Sequence, residues 1–222
     1  MSTCTLTYYY DALCGWCFGL SDTMSKIHEH YHDKLNFKVM SGGLFVGNRA
    51  GLINEVAPHI GQGAYKSVEQ ATGIKFGKRF LEGSLKSGNM WLDSLPPAVA
   101  LCIVKEIAPE KALQFSSALN KAFYVDGRLP EDLDTYISCA KECGIPFVQV
   151  KTKMTESVYR DIALAEFKYV SNQQVSGYPT LMLETPDKLF NLSNGQYSYE
   201  GFVENIDNVL VDIKSLNSAA AH

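Results

Sequence analysis

The sequence predicts an α/β fold in which a sheet assembled from both ends of the chain is interrupted by a large helical insertion. Three observations lead there. Strand-like segments occur only near the two ends, about Thr5–Tyr10 and Leu35–Val39 early and Thr180–Leu183 and Leu189–Leu192 late. Between about Leu44 and Lys153 no alternating segment appears, but proline and glycine helix punctuation does. With 222 residues, 46% of them hydrophobic, the chain can bury a sizeable core.

Taken in order, Thr5 to Tyr10 is rich in aromatic and branched residues and reads as a strand. Leu20, Met24, Ile27 and Tyr31 then follow at helical offsets, so the strand runs into an amphipathic helix. Leu35, Phe37 and Val39 alternate with polar or long neighbours in a second strand that stops at Gly42-Gly43, which closes a βαβ unit. Gly42-Gly43-Leu44 marks the exit towards the insertion, with neither a GxGxxG nor a Walker pattern for phosphate.

In the insertion, Pro97 opens an apolar helix through Val104, and Pro109 opens one carrying Leu113, Ala118, Leu119 and Ala122. Asp126-Gly127 turns the chain. Pro130 starts a helix with Leu133, Tyr136, Ile137 and Ala140, and Gly144 is its left-handed cap. A further helix is marked by Val158, Ile162, Ala165 and Tyr169. After the two late strands, Asn194-Gly195 turns into a last helix bearing Phe202, Ile206, Val209 and Ile213.

Charge and hydropathy exclude several functions. Twenty Lys and Arg stand against 24 Asp and Glu, a net charge of -4, without a basic run. That leaves no electrostatic footprint for nucleic acid or an anionic membrane, and points to small-molecule or protein partners. The apolar window Ala98 to Val104 is broken by Lys105 and Glu106, far short of the roughly 20 residues that span a bilayer. Met1-Ser2-Thr3-Cys4 passes straight into a strand and gives no secretory signal, so the expected compartment is the cytoplasm.

Six cysteines, at 4, 14, 17, 102, 139 and 143, are too few and scattered for a disulfide framework. The informative pair is Cys14-Gly15-Trp16-Cys17. The thiolate is the reactive form of cysteine, and a helix start offers unpaired N–H groups and the positive end of the dipole. That dipole is worth about 0.3–2 kcal/mol, a moderate activation of Cys14. Cys17, one turn on and pointing inward, is the natural resolving thiol in an exchange that needs no cofactor. The other reading of a single CxxC, half of a zinc site, needs two more ligands. None follows nearby, and Cys139 and Cys143 sit on a distant predicted helix.

The CGWC motif after a first strand, the helical insertion, and Val175-Ser176-Gly177-Tyr178-Pro179-Thr180 before a later strand resemble the DsbA-like branch of the thioredoxin superfamily. Within that branch the likeness is to the cytosolic FrnE-like thiol oxidoreductases. The resemblance covers approximately residues 3 to 214. It implies an α/β thioredoxin-like fold with a large helical insertion, residues 1–44 and 155–222 forming the thioredoxin-like domain and 45–154 the inserted helical domain. It also implies a cis Tyr178–Pro179 bond against the dithiol, in a loop that presents backbone groups to an extended substrate.

The expected activity is therefore thiol–disulfide exchange, with Cys14 and Cys17 catalytic and Trp16, Tyr178 and Pro179 binding substrate. No cofactor or metal is expected. The partners are protein or small-molecule thiols and disulfides, glutathione among them. Tyr178 stands where the common pattern has a small or branched residue; its phenol is free to stack on substrate, to bond a sulfur or simply to pack. Trp16 reads as part of a partly exposed apolar platform. Gly15 and Trp16 bring no cation to stabilise Cys14 as thiolate. The couple should therefore have a reductase- or isomerase-like poise, more negative than about −150 mV, a threshold that falls between the values of protein disulfide isomerase and the strong oxidant DsbA.

Two alternatives share the architecture: a glutathione-dependent transferase or isomerase of the kappa-class or 2-hydroxychromene-2-carboxylate isomerase type, and a non-catalytic redox-sensing module. Other constellations carry less. His28, His30 and His32 read as a solvated helix end. Cys139 and Cys143 read as packed thiols before a second redox pair, Cys4 and Cys102 as core residues, and Asp11 as a turn residue before a proton relay.

Overall fold

The computed structural model describes residues 4–173 and 175–219, with side chains to Asp212. Strand β1 (Thr5–Tyr10) leads into α1 (Gly15–Tyr31) and β2 (Asn36–Ser41), the expected βαβ unit. The late strands β5 (Thr180–Glu184) and β6 (Leu189–Asn191) complete a four-stranded sheet in the order β2-β1-β5-β6. β1 is parallel to β2 and antiparallel to β5, with Tyr10 opposite Ser41 and Tyr9 opposite Thr180. This is a mixed α/β sheet built from both ends of the chain and interrupted by a helical insertion.

β1 is buried on both faces, which its run of aromatic and branched residues allows. Leu6, Tyr8 and Tyr10 enter the main core, while Tyr9 packs with Met182 of β5 and Val170 on the opposite face. That main core is continuous, joining side chains of the sheet, α1 and the insertion.

Between β2 and β5 the chain is mostly helical: α2 (Ile53–Val56), α3 (Tyr65–Thr72), α4 (Leu95–Ile107), α5 (Ala112–Tyr124), α6 (Leu133–Glu142), α7 (Phe147–Lys153) and α8 (Ser157–Ser171). It also holds a small antiparallel pair, β3 (Gly51–Leu52) with β4 (Trp91–Leu92), too short to leave an alternating pattern in the sequence. The helix α9 (Tyr199–Ala219) closes the chain and packs on α1. Its Phe202, Ile206 and Val209 are buried as expected; the side chain of Ile213 lies outside the described residues.

Three expected helix starts are displaced. α4 begins at Leu95, with both Pro96 and Pro97 in its first turn, where a missing N–H costs nothing. Pro109 opens a 3-10 turn over Pro109–Lys111, and the α-helix α5 itself begins at Ala112. α6 begins at Leu133, because Asp132 caps it by accepting the Asp134 N–H at 2.9 Å, and Pro130 precedes it in a turn.

The larger correction concerns α8. Val158, Ile162, Ala165 and Tyr169 face solvent, whereas Tyr159, Ala163, Phe167 and Val170 are buried. Both stripes recur at helical spacing, and packing against α4 and β2 selects the second. Glu166 on this buried side accepts the Ser41 N–H at 2.7 Å and pairs with Lys105 of α4. Lys105 also donates to the Val39 carbonyl, so the exit of β2 is tied to two insertion helices.

Candidate active site

The turn between β1 and α1 is built by Asp11. Its Oδ1 accepts the Leu13 N–H at 2.9 Å and its carbonyl accepts the Cys14 N–H at 3.1 Å, which folds Asp11–Cys14 into a tight turn. Cys14 then takes the N-cap position with extended backbone (φ −92°, ψ 116°), and the helix begins at Gly15. Its side chain does not cap the helix; the thiol donates to the Tyr178 carbonyl at 3.4 Å.

Cys17 lies one turn further and is fully buried; its Sγ accepts the Asp11 N–H at 3.5 Å. Burial first, then the neighbouring Cys14, pushes its thiol well above the ordinary cysteine value. No disulfide joins Cys14 to Cys17 in this structure.

Cys14 is 6% exposed, so it is reached through a cleft rather than across an open surface. That cleft, about 130 Å³, is lined by apolar side chains including Leu13, Trp16, Phe45, Ile60 and Phe76, with His59 at its edge. Trp16 is half-buried and stacks on Tyr197 at 4.9 Å. Beyond that stack a second cleft of about 280 Å³ runs along Ser176, Tyr178, Pro179, Ser193 and Gln196 and is more polar. The Tyr178–Pro179 peptide bond is cis. The tertiary structure thus gathers Cys14, Cys17, Trp16, Tyr178 and Pro179 into one neighbourhood.

Tyr178 is half-buried and its hydroxyl donates to the Gly42 carbonyl at 2.8 Å.

The motif itself gave no sign of three supports. Asp11 was legible as a turn residue, but it is 1% exposed and its Oδ2 also accepts the Leu44 N–H at 2.8 Å, joining the redox turn to the start of the insertion. Burial raises its carboxyl, partly offset by backbone N–H donors from Leu44 and Leu13. From α5, Asn120 donates to the Ala12 carbonyl at 2.9 Å and the Tyr124 hydroxyl donates to the Leu13 carbonyl. The burial of Asn120 is shown only by the fold, and its partner lies too far along the chain for spacing to reveal it.

The remaining constellations stay apart from this site. His28 is half-buried against Phe37, and burial, then His32, lowers its imidazole; His30 and His32 are exposed. His30 bonds the Tyr199 hydroxyl at 2.7 Å. Among the described residues no group of three or more His, Cys, Asp or Glu is placed to hold a metal ion, and no helix is long and apolar enough to cross a membrane.

With this geometry in view, the comparisons with known proteins define the fold class. No protein-family model matches the chain, and no curated protein matches it. Its structural neighbours are DsbA-like disulfide oxidoreductases. One is a protein from Nitrosomonas europaea provisionally assigned as a protein disulfide isomerase: 25% identical, TM-score 0.79, covering 95% of this chain and 99% of that one. Another is the cytosolic disulfide reductase DsbM from Pseudomonas aeruginosa, 24% identical, TM-score 0.77, covering 93% and 98%, and also solved with GSH. A 2-hydroxychromene-2-carboxylate isomerase shares the fold more distantly, at 11% identity and TM-score 0.61 over 97% and 98% of the two chains.

Proposed function

We propose that this chain is a cytoplasmic thiol–disulfide oxidoreductase that works mainly as a reductase through Cys14 and Cys17. The observation that carries the proposal is the arrangement of the two sulfurs: Cys14 in the lining of a cleft and against the Tyr178 carbonyl, Cys17 buried one turn behind it. In the reductive direction the Cys14 thiolate attacks one sulfur of a substrate disulfide. A Cys14–substrate bond forms, and the other substrate sulfur leaves as a thiolate that takes up a proton. Cys17 then gives up its proton and attacks Cys14, releasing the second substrate thiol and leaving a Cys14–Cys17 disulfide. Two electrons have passed to the substrate, and two equivalents of a thiol such as glutathione restore the dithiol.

The reductase direction draws support from the uncharged Gly15-Trp16 dipeptide and from the likeness to DsbM. Glutathione as the recycling thiol draws support from the GSH-bound form of that neighbour. In this reading Trp16, Tyr178 and Pro179 form the wall against which substrate docks. A glutathione-dependent isomerase activity rests on a likeness that shows the fold alone.

The deciding experiment is turnover of a small disulfide with glutathione as reductant. Cys14→Ser should lower the rate by about a hundredfold or more, since it removes the attacking atom. Full turnover in that variant would refute the proposal, and absence of turnover in the wild type would favour a redox-sensing module instead.

A further inference from the structure

We propose that the Tyr178 hydroxyl is a positioning group for Cys14: by anchoring on the Gly42 carbonyl it holds the Tyr178 main-chain carbonyl against the attacking thiol. This deepens the oxidoreductase reading and rests on it. The two hydrogen bonds belong to one residue, its O–H donating to Gly42 at 2.8 Å and its C=O accepting from Cys14 at 3.4 Å. The phenol is therefore a strut across the site, from the end of β2 to the loop before β5.

Gly42 fits the strut on steric grounds. A Cβ at this position would lie 1.9 Å from the Tyr178 Cζ, so any side chain would displace the ring. The anchor itself is fixed on both sides. The Gly42 N–H donates to the Tyr10 carbonyl at 2.8 Å, and the preceding Ser41 N–H is held by Glu166, which in turn is paired with Lys105. The Gly42-Gly43 pair, which no phosphate motif explains, thereby acquires a role at the dithiol.

The phenol remains a donor at working pH, since burial, with the Asp11 carboxylate adding to it and Arg49 opposing, pushes it up to about 12. The chemical consequence lies at Cys14. A thiol can donate to the Tyr178 carbonyl, but a disulfide sulfur has no hydrogen to donate. The strut therefore stabilises the reduced form and not the oxidised one, and a bond made in one state only shifts the equilibrium between them. It also holds the S–H hydrogen in a bond that must be given up before the sulfur can attack.

Tyr178→Phe removes the hydroxyl and keeps the ring. With glutathione buffers at pH near 7, the dithiol/disulfide equilibrium of the variant should move about threefold towards the disulfide, equivalent to about 14 mV more negative when tenfold is about 30 mV. Alkylation of Cys14 by iodoacetamide should become faster by a similar factor. Loosening alone would speed alkylation without moving the equilibrium, so an unchanged potential overturns the proposal.

If the variant does not fold, the wild type decides. In protein labelled at the tyrosine Cζ, the Tyr178 hydroxyl proton should exchange slowly with solvent, and exchange as fast as that of an exposed tyrosine overturns the strut. Cys14→Ser, assayed in parallel, separates the two ideas. Loss of turnover there with no shift in Tyr178→Phe removes only the strut, whereas retained turnover removes the oxidoreductase reading beneath it.

Discussion

Two pairs of cysteines sit about one helical turn apart in this chain; both pairs are buried, and they differ in which end of a helix they occupy and in access to a cleft. Cys14 and Cys17 flank the start of α1, where N–H groups are unpaired and the dipole favours negative charge. Cys139 and Cys143 lie at the end of α6, where the dipole has the opposite sign and Glu142 stands beside them. Burial, then Glu142, pushes the Cys139 thiol up to about 12 and the Cys143 thiol up to about 11. Cys139 donates to the Ala118 carbonyl of α5 at 3.6 Å, a packed thiol in a helix interface. Cys14, by contrast, is in extended backbone before its helix and opens into a cleft. Position relative to a helix end, more than the number of cysteines, separates a candidate redox couple from structural thiols.

The largest expected difference is in turnover. Cys14→Ser should lower disulfide reduction by about a hundredfold or more, while Cys139→Ser and Cys143→Ser should stay within about twofold of the wild type. A deep loss in either α6 variant with the fold intact would erase the contrast.

Next in size is the fate of the intermediate. Cys17→Ser should accumulate a Cys14–substrate mixed disulfide visible by intact mass, because the resolving thiol is gone. No adduct should form on Cys139 or Cys143 under the same conditions, and the appearance of one there would make the α6 pair a second redox centre.

A smaller effect concerns Asp11, the buried carboxylate of the first region. Burial raises its carboxyl, so the folded chain binds that proton more tightly than the unfolded chain, whose value is near 4. The associated stability is fully present below about pH 4 and is lost as pH rises through the folded value. Urea midpoints of the wild type relative to Asp11→Asn should therefore decline from about pH 4 upward and then level off. A difference that does not change with pH would show that the carboxyl has the same affinity for its proton in both states.

The smallest expected signal is native-state alkylation of Cys139 and Cys143. It should be slow and should accelerate only with denaturant, as for groups exposed by unfolding. Modification of either thiol at a denaturant-independent rate would mark a local opening at the end of α6.

Much of this geometry was legible because it is local. The β1–α1 passage, the CGWC spacing and the left-handed Gly127, Gly144 and Gly195 are each encoded within a few residues, where hydrophobic period, helix-start geometry and the steric freedom of glycine act directly. The buried face of α8 was not legible for a physical reason. Val158, Ile162, Ala165 and Tyr169 form as good a helical stripe as Tyr159, Ala163, Phe167 and Val170, and periodicity cannot rank two apolar faces. Similarly, Pro130 has the features of a helix start, but the Asp132 side chain satisfies the orphan N–H of α6 and moves the boundary.

The sequence by itself determined that a cysteine pair lies at the start of a helix, which strand precedes it, and that a helical block separates the two halves of the sheet. Tertiary structure decided the rest of the site: that Asn120 and Tyr124 brace the redox turn, that Asp11 ties it to Leu44, and that Tyr178 reaches Gly42 while its carbonyl meets Cys14. The division follows from range. Propensity and periodicity act over one or two turns of chain, whereas these hydrogen bonds join residues between 33 and 164 positions apart and exist only once the shared core has formed.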